Sequence, residues 1–381
     1  MAGDPPPIPG TLLLGPEAER RRQDVARLLR CGNHFPGAQP VSFTSKHLRT
    51  LVEEDYYVCE KSDGTRLLMY CTETDDDREV VFLVDRKNSY YAIPRLHFPL
   101  PNDKTCKTFH KDTILDGELV LDIVDGQKRL VYLTFDLLMY QGKDMRSRDL
   151  AGRLGKLKDL FLQPLNKFLK ANPEQRKRFP FQVEFKYMQL SYGIEMMYRE
   201  IIPKLNHGND GLVFTSQKAP YTSGTDESLL KWKPAEENSV DFMLRMKFRE
   251  RPDGSENFEA VPDLGLFAYY GEDRRTRSED YRFYEQMFVD EHDWARLKEE
   301  GIRRNGLEGL IVECNKDKEG RWRFMRVRDD KQHANHISIV AKVLDSIRDG
   351  VTMEQLLAQS YGMRKAYKER HAPKAEKLID Q

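Results

Sequence analysis

The stretch Tyr57-Val58-Cys59-Glu60-Lys61-Ser62-Asp63-Gly64-Thr65-Arg66 sets a lysine at the end of an apolar strand, ahead of a turn pair and a second strand. Two readings fit it. One is a hairpin with a surface lysine, since K-x-D-G alone is only four residues long. The other is a lysine nucleophile. A free amine has a pKa of about 10.4, so under about 0.1% of it is unprotonated at neutral pH. Burial beside other cations lowers that pKa and frees the lone pair. The second reading therefore predicts that further lysines and arginines converge on Lys61.

Such residues are available. Lys231-Trp232-Lys233-Pro234 reads as a strand end with both lysines on one face. Arg66 and Arg86 lie on or beside strands, and Arg323, Arg326, Arg328 and Lys331 crowd the segment Arg321–Lys331. Any one of these alone reads as a solvated charge. Carboxylates also interrupt apolar runs: Asp116-Gly117-Glu118, Asp136, and Asp210 just before Leu212-Val213-Phe214. Acids in buried strands are costly unless paired or metal-bound. Oxygen-only ligands suit Mg²⁺, which is usually shared with substrate phosphates.

Working outward, short β-branched and aromatic runs predict strands at 56–59, 65–71, 80–84, 113–123, 130–138, 181–187 and 211–215. Helical spacing predicts helices over 16–30, 149–169 and 192–205. The acidic tip Asp75–Asp77 reads as a solvated turn rather than a metal site. After Pro234 a polar break precedes a new strand at Val240, and further strands at 264–270, 310–313 and 321–327 surround a helical insert near 281–300. That pattern suits a small barrel such as an OB-fold. The fold class expected is α+β. The expected organisation is a flexible lead (1–15), a catalytic domain (16–237), an OB-fold domain (238–332) and a helical tail (333–381).

Composition excludes several classes. At 381 residues the chain is too long for one domain of roughly 100–200 residues. Its 62 basic and 62 acidic side chains cancel, which rules out a histone-like polycation but leaves room for a local basic groove. No run of 18 apolar residues offers a membrane span, and the start lacks a basic region followed by an apolar core. Five scattered cysteines without a C-x-x-C pair favour reduced thiols in an intracellular setting. Phosphate-cradling glycine loops, zinc-protease and serine-hydrolase motifs are missing, and His333 and His336 do not make a convincing metal pair.

Taken in order, the segments 35–43, 60–66, 82–86, 115–119, 134–138, 210–214, 230–234 and 322–331 resemble the covalent nucleotidyltransferases. The closer resemblance is to the GTP:RNA guanylyltransferases that cap messenger RNA, of the stand-alone fungal alpha-subunit type. That resemblance implies an antiparallel-sheet nucleotide-binding domain with helices, followed by an OB-fold. It implies that Lys61 attacks the α-phosphate of GTP and holds GMP as a phosphoramidate. Arg66 and Glu118 would hold the ribose, Arg86 ribose or phosphate, and Phe135 would stack on the base. Lys186 would read the guanine edge, and Asp210 would help to hold a divalent cation, Mg²⁺ or Mn²⁺. Lys231 and Lys233 would grip the α-phosphate, while Arg326, Arg328, Asp330 and Lys331 would orient the β,γ-phosphates from the second domain, across a hinge near 234–240.

The acceptor so implied is 5′-diphosphate RNA. No H-C-x₅-R phosphatase motif is present, so a separate RNA 5′-triphosphatase subunit is expected as a partner, as is the phosphorylated C-terminal domain of RNA polymerase II. A nuclear location follows from the role. The alternative is an ATP-dependent polynucleotide ligase, which shares K-x-D-G. Asp85-Arg86 and Asp210-Gly211 speak against it. An inactive OB-type RNA-binding scaffold is disfavoured because every motif residue is intact.

Overall fold

The computed structural model describes residues 6–234, 237–257, 260–272 and 277–372. They pack as two compact units, residues 1–232 with 353–381, and residues 233–352. No helix among the described residues is long and apolar enough to cross a membrane.

The described residues of the first unit form thirteen strands: β1 (Thr11–Leu12), β2 (Ala38–Ser42), β3 (Tyr56–Ser62), β4 (Thr65–Glu73), β5 (Glu79–Val84), β6 (Tyr90–Ile93), β7 (Thr113–Val124), β8 (Gln127–Tyr140), β9 (Lys143–Asp144), β10 (Gln182–Phe185), β11 (Gln189–Leu190), β12 (Asn209–Ser216) and β13 (Gly224–Trp232). They form two sheets, ordered β1-β6-β5-β4-β7-β8-β10 with β9 on β8, and β11-β3-β12-β13-β2. Pairing is antiparallel except for β8–β10 and β2–β13. The central strands are apolar on both faces because both are covered. Leu67, Met69, Leu115 and Leu119 pack with Leu154, Leu157, Phe161 and Leu165 of the helical run 150–171. On the other face Leu68, Tyr70, Phe82 and Val84 meet Val25 and Leu29 of the helix Gly15–Leu29. Each such side chain contributes roughly 1.5–3 kcal/mol on full burial.

The K-x-D-G stretch is not a hairpin. β3 pairs with β11 and β12, whereas β4 pairs with β5 and β7. The turn at Asp63-Gly64 carries the chain from one sheet to the other. A Cβ on Gly64 would stand 2.4 Å from the carbonyl oxygen of Leu119, so only glycine permits this close a crossing. Lys61 consequently sits where the two sheets meet.

The second unit is a five-stranded antiparallel sheet of β14 (Ser239–Lys247), β15 (Asp263–Glu272), β16 (Glu279–Gln286), β17 (Ile311–Lys316) and β18 (Trp322–Val327), ordered β16-β15-β14-β17-β18. Met287 bridges to Trp322, which brings the end of β16 round to β18 and part-closes the barrel. This is the OB-like architecture expected. Its core holds Phe242, Leu244, Leu266, Val312 and Trp322.

Three expectations need correction. The insert read as helix over 281–300 begins as strand β16, because Tyr281 and Phe283 pair across to Tyr269 and Phe267; the helix is Glu291–Arg304, capped by Asp290. The lead is docked in part: Thr11–Leu12 pair with β6 and Ile8 packs on the core, while residues 1–5 lie outside the described residues. The helical tail is divided. Helix Ile337–Arg348 belongs to the second unit, whereas helices Met353–Ala358 and Ser360–Arg370 return to the first. The return is fixed by Asp55, almost wholly buried, which accepts hydrogen bonds from Arg370 at 2.7 and 3.0 Å and faces His371 at 2.8 Å.

Candidate active site

A cleft of about 110 Å³ opens between the two sheets of the first unit, and Lys61, Arg66, Arg86, Glu118, Phe135 and Lys186 all line it. Two β-bulges aim its side chains. Opposite Lys61, β12 carries two residues, Asp210 and Gly211, between the pairs Asn209–Ser62 and Leu212–Glu60. Gly211 takes φ 147° there. The extra residue turns Asp210 toward its cross-strand neighbour, and its Oδ1 lies 2.7 Å from the Lys61 Nζ. On β8 the register skips Phe135 between the pairs Asp136–Asp116 and Thr134–Gly117. The skip reverses the alternation, so Tyr132 and Leu137 share one core while Phe135 faces the cleft.

Of the cations expected around Lys61, Arg66, Arg86 and Lys186 line the cleft with it, and the Lys61 ammonium itself donates to a carboxylate, Asp210. Arg66 is buried and forks onto Asp116 at 2.6 and 3.1 Å; it also donates to the Ala38 carbonyl and lies 5.5 Å from the Phe135 ring centroid. Tyr221 donates to Asp116 Oδ2 at 2.5 Å, the oxygen that Arg66 Nη2 also bonds. Thus Asp116, an acid interrupting an apolar run, is neutralised by a bidentate arginine, and Asp136 likewise by Arg153 at 2.7 and 2.9 Å. Lys186 is buried and pinned to Glu60 Oε1 at 3.0 Å and to the Ser62 hydroxyl. An ammonium has three N–H groups, which leaves one for the cleft.

Glu118 makes no hydrogen bond or ion pair among the described residues. Burial raises its carboxyl pKa, against the pull of Lys186, Lys61, Arg66 and Arg86. Arg86, at the rim, has its pKa lowered by desolvation and by the charge of Arg66. A carboxylate ringed by cations at a cleft wall is suited to accept hydrogen bonds from neutral hydroxyls. Lys231 stands on the cleft face of its sheet, in one row with Val213 and Cys59, while Trp232 points to the buried side. Lys233 lies past the end of β13 and is the first residue of the second unit.

The remaining residues form a cluster within the second unit. Arg326 donates to Glu313 at 2.7 Å; Arg328 bonds Asp241 at 2.9 Å and both oxygens of Asp330 at 2.8 Å; Lys331 approaches Asp241 at 3.5 Å. Asp241 and Glu313, which hold this cluster, were not singled out in the sequence, nor was the chain behind Lys61. There His207 bridges Glu60 at 3.4 Å and Asp122 at 3.0 Å, and Arg129 donates to Asp122 at 2.9 Å. Burial pushes the Glu60 carboxyl up, but Lys186 and His207 outweigh it and bring it to about 2.

No group of three or more His, Cys, Asp or Glu residues able to hold a metal occurs among the described residues. Asp210 offers one carboxylate. That fits a cation held by a single protein ligand, with water and substrate phosphates completing the shell, as Mg²⁺ commonly is.

A family described as mRNA capping enzyme, catalytic domain, matches residues 6–235, and its C-terminal domain family matches residues 237–357. The chain belongs to the mRNA capping enzyme family. The mRNA-capping enzyme subunit alpha of Schizosaccharomyces pombe is 44% identical over 97% of this chain and 91% of its own length. That of Neurospora crassa is 43% identical over 93% and 92%, and that of Saccharomyces cerevisiae 35% identical over 96% and 88%. A solved mycobacterial DNA ligase D complexed with ATP and MES matches at 16% identity and a TM-score of 0.40, over 78% of this chain and 96% of that one, a likeness too remote to weigh in the assignment. As a capping enzyme, this protein is a GTP:RNA guanylyltransferase, and the ligase reading is not favoured.

Proposed function

We propose that this capping enzyme works through a covalent Lys61–GMP intermediate and that the cleft is where it forms. The observation that carries this reading is the position of Lys61 between the sheets, aimed by Asp210 and ringed by Arg66, Arg86, Glu118, Phe135 and Lys186. The neutral Lys61 amine attacks the α-phosphorus of GTP; an N–P bond forms, the bond to the bridging α,β-oxygen breaks and pyrophosphate leaves. In the second step a terminal oxygen of 5′-diphosphate RNA attacks the same phosphorus, the N–P bond breaks, and the GpppN cap is released. Transfer of this kind depends on positioning and charge neutralisation.

Phe135 stacks on the base, with the free N–H of Lys186 at the base edge. Glu118 accepts from the ribose hydroxyls. Arg66, already held by Asp116, contributes chiefly as the rigid floor under Phe135, with its remaining N–H toward the ribose. Arg86 reaches ribose or phosphate, Lys231 and Lys233 the α-phosphate, and Arg326, Arg328, Asp330 and Lys331 the β,γ-phosphates. Asp210 would hold Mg²⁺ or Mn²⁺, which when bound neutralises charge on the triphosphate. The alpha-subunit naming of the relatives supports a partner subunit, for which an RNA 5′-triphosphatase is the chemistry that supplies diphosphate ends. The phosphorylated tail of RNA polymerase II and a nuclear location belong to the same reading.

The test is covalent labelling with α-labelled nucleotide in the presence of Mg²⁺ or Mn²⁺. Label should arrive from GTP and not from ATP. Equal labelling from ATP would move the assignment to a ligase.

A further inference from the structure

The second unit carries an aromatic surface that nucleotide transfer to Lys61 does not use. On the outer face of its sheet, opposite the Phe242–Trp322 core, Phe267 and Phe283 meet edge to face with ring centroids 5.7 Å apart. Phe283 is 60% exposed. The rings lie beside Gly265, where a Cβ would come within 3.1 Å of Phe267 and 3.5 Å of Phe283, so the glycine makes room for them. Arg245, exposed on the adjacent strand, stands 4.8 Å from the Phe267 centroid. Tyr269 and Tyr281 continue the row at 5.3 Å.

A largely exposed phenylalanine beside an arginine costs solubility without helping the fold. Exposed rings interleaved with cations on a small barrel are what stacked, single-stranded bases require. Charge adds to this. Asp263, an acid beside the row, is paired with Arg249 at 2.9 Å, and Arg245 and Lys247 are exposed on β14. The alternation of β14 also puts Asp241, Met243 and Arg245 on one face. Met243 and Ile311 join the aromatic row, and Asp241 carries Arg328 and Lys331. Within this unit, aromatic row and phosphate-directed cluster thus share one surface.

We propose that this face, centred on Phe267, Phe283 and Arg245, is the stacking platform for the single-stranded RNA acceptor. The inference rests on the capping reading, and it concerns the second half-reaction alone. Bases stack on the rings irrespective of sequence, and Arg245 draws the backbone.

The experiment uses the full-length protein and its Phe283→Ala and Phe283→Trp variants. Adduct formation from labelled GTP without RNA is measured first. Transfer from isolated adduct to a 5′-diphosphate 20-nucleotide RNA, and to a 5′-diphosphate mononucleotide, is measured next. Phe283→Ala should form adduct at a rate within about twofold of wild type and raise the RNA concentration for half-maximal transfer about 5- to 100-fold. It should leave the mononucleotide unaffected, and Phe283→Trp should restore RNA use. Unchanged RNA dependence in Phe283→Ala overturns the proposal and leaves the face to a protein partner. Slowed adduct formation in that variant also overturns it and points to a role in nucleotide handling or folding. Failure of the wild type to form any adduct from GTP would instead sink the capping reading itself.

Discussion

Arg66 is the residue where chemistry and architecture are hardest to separate. The sequence places it five residues after Lys61 on a strand, but its partner Asp116 lies fifty residues away, and nothing in local spacing reveals that pair. Much the same holds for Glu60, whose neighbour on the chain is Lys61 and whose partners Lys186 and His207 come from distant segments. Those pairings make stability depend on pH. The Glu60 carboxyl falls from 4.5 to about 2 on folding, so its contribution is complete above pH 4.5 and is lost as pH drops toward 2. Burial opposes charging of His207, but hydrogen bonds to Glu60 and Asp122 raise its pKa above 6.5; that contribution is complete below pH 6.5 and fades as pH rises through the folded value. The network therefore stabilises fully between about pH 4.5 and 6.5. Glu60→Gln should flatten the acid side of this profile, measured as the urea midpoint from pH 6 down to pH 3; an unaltered slope would show that Glu60 is not charged in the fold.

At the scale of elements, two bulges and one corner make the cleft. The bulge at Asp210-Gly211 and the skipped Phe135 have no signature that single-sequence reasoning detects, because an alternating apolar run looks alike with or without one extra residue. Lys61 and its K-x-D-G stretch were legible as strand, turn and strand. That the turn changes sheets was not, since strand pairing is a long-range property. Strand β16 differs from the helix expected there because its aromatics at 281, 283 and 284 fit either period over so short a run. Gly64 is the corner's weak point. Gly64→Ala would force its Cβ against the Leu119 carbonyl and the Glu118 side chain, at a cost of about 1–3 kcal/mol. The expected result is a lowered urea midpoint together with slowed adduct formation, since both Lys61 and Glu118 move; normal kinetics in a destabilised protein would detach the corner from the chemistry.

The whole chain passes between its two units twice, near residue 232 and near residue 352, and the Asp55–Arg370 contact fixes the returning helix to the first. Division into a larger catalytic unit and a small barrel was readable from strand spacing and the polar break after Pro234. The return of the tail was not, because its helices carry no mark of which unit covers them. The proposed roles divide along the same line. Lys331 is expected to touch phosphates that leave as pyrophosphate, so Lys331→Ala should slow adduct formation by roughly 10- to 100-fold while pre-formed adduct transfers to RNA at the wild-type rate. Single-turnover kinetics of the two steps separates these, and equal slowing of both would give the cluster a different role. The proposed mechanism turns on one lysine. Arginine keeps its charge but supplies no neutral amine, so mass spectrometry of peptides from wild type and Lys61→Arg, each incubated with GTP and Mg²⁺, tests it most directly. It predicts one GMP on the Lys61 peptide of the wild type and no adduct in a Lys61→Arg protein with wild-type circular dichroism; GMP on another lysine, or an adduct surviving the substitution, would contradict it.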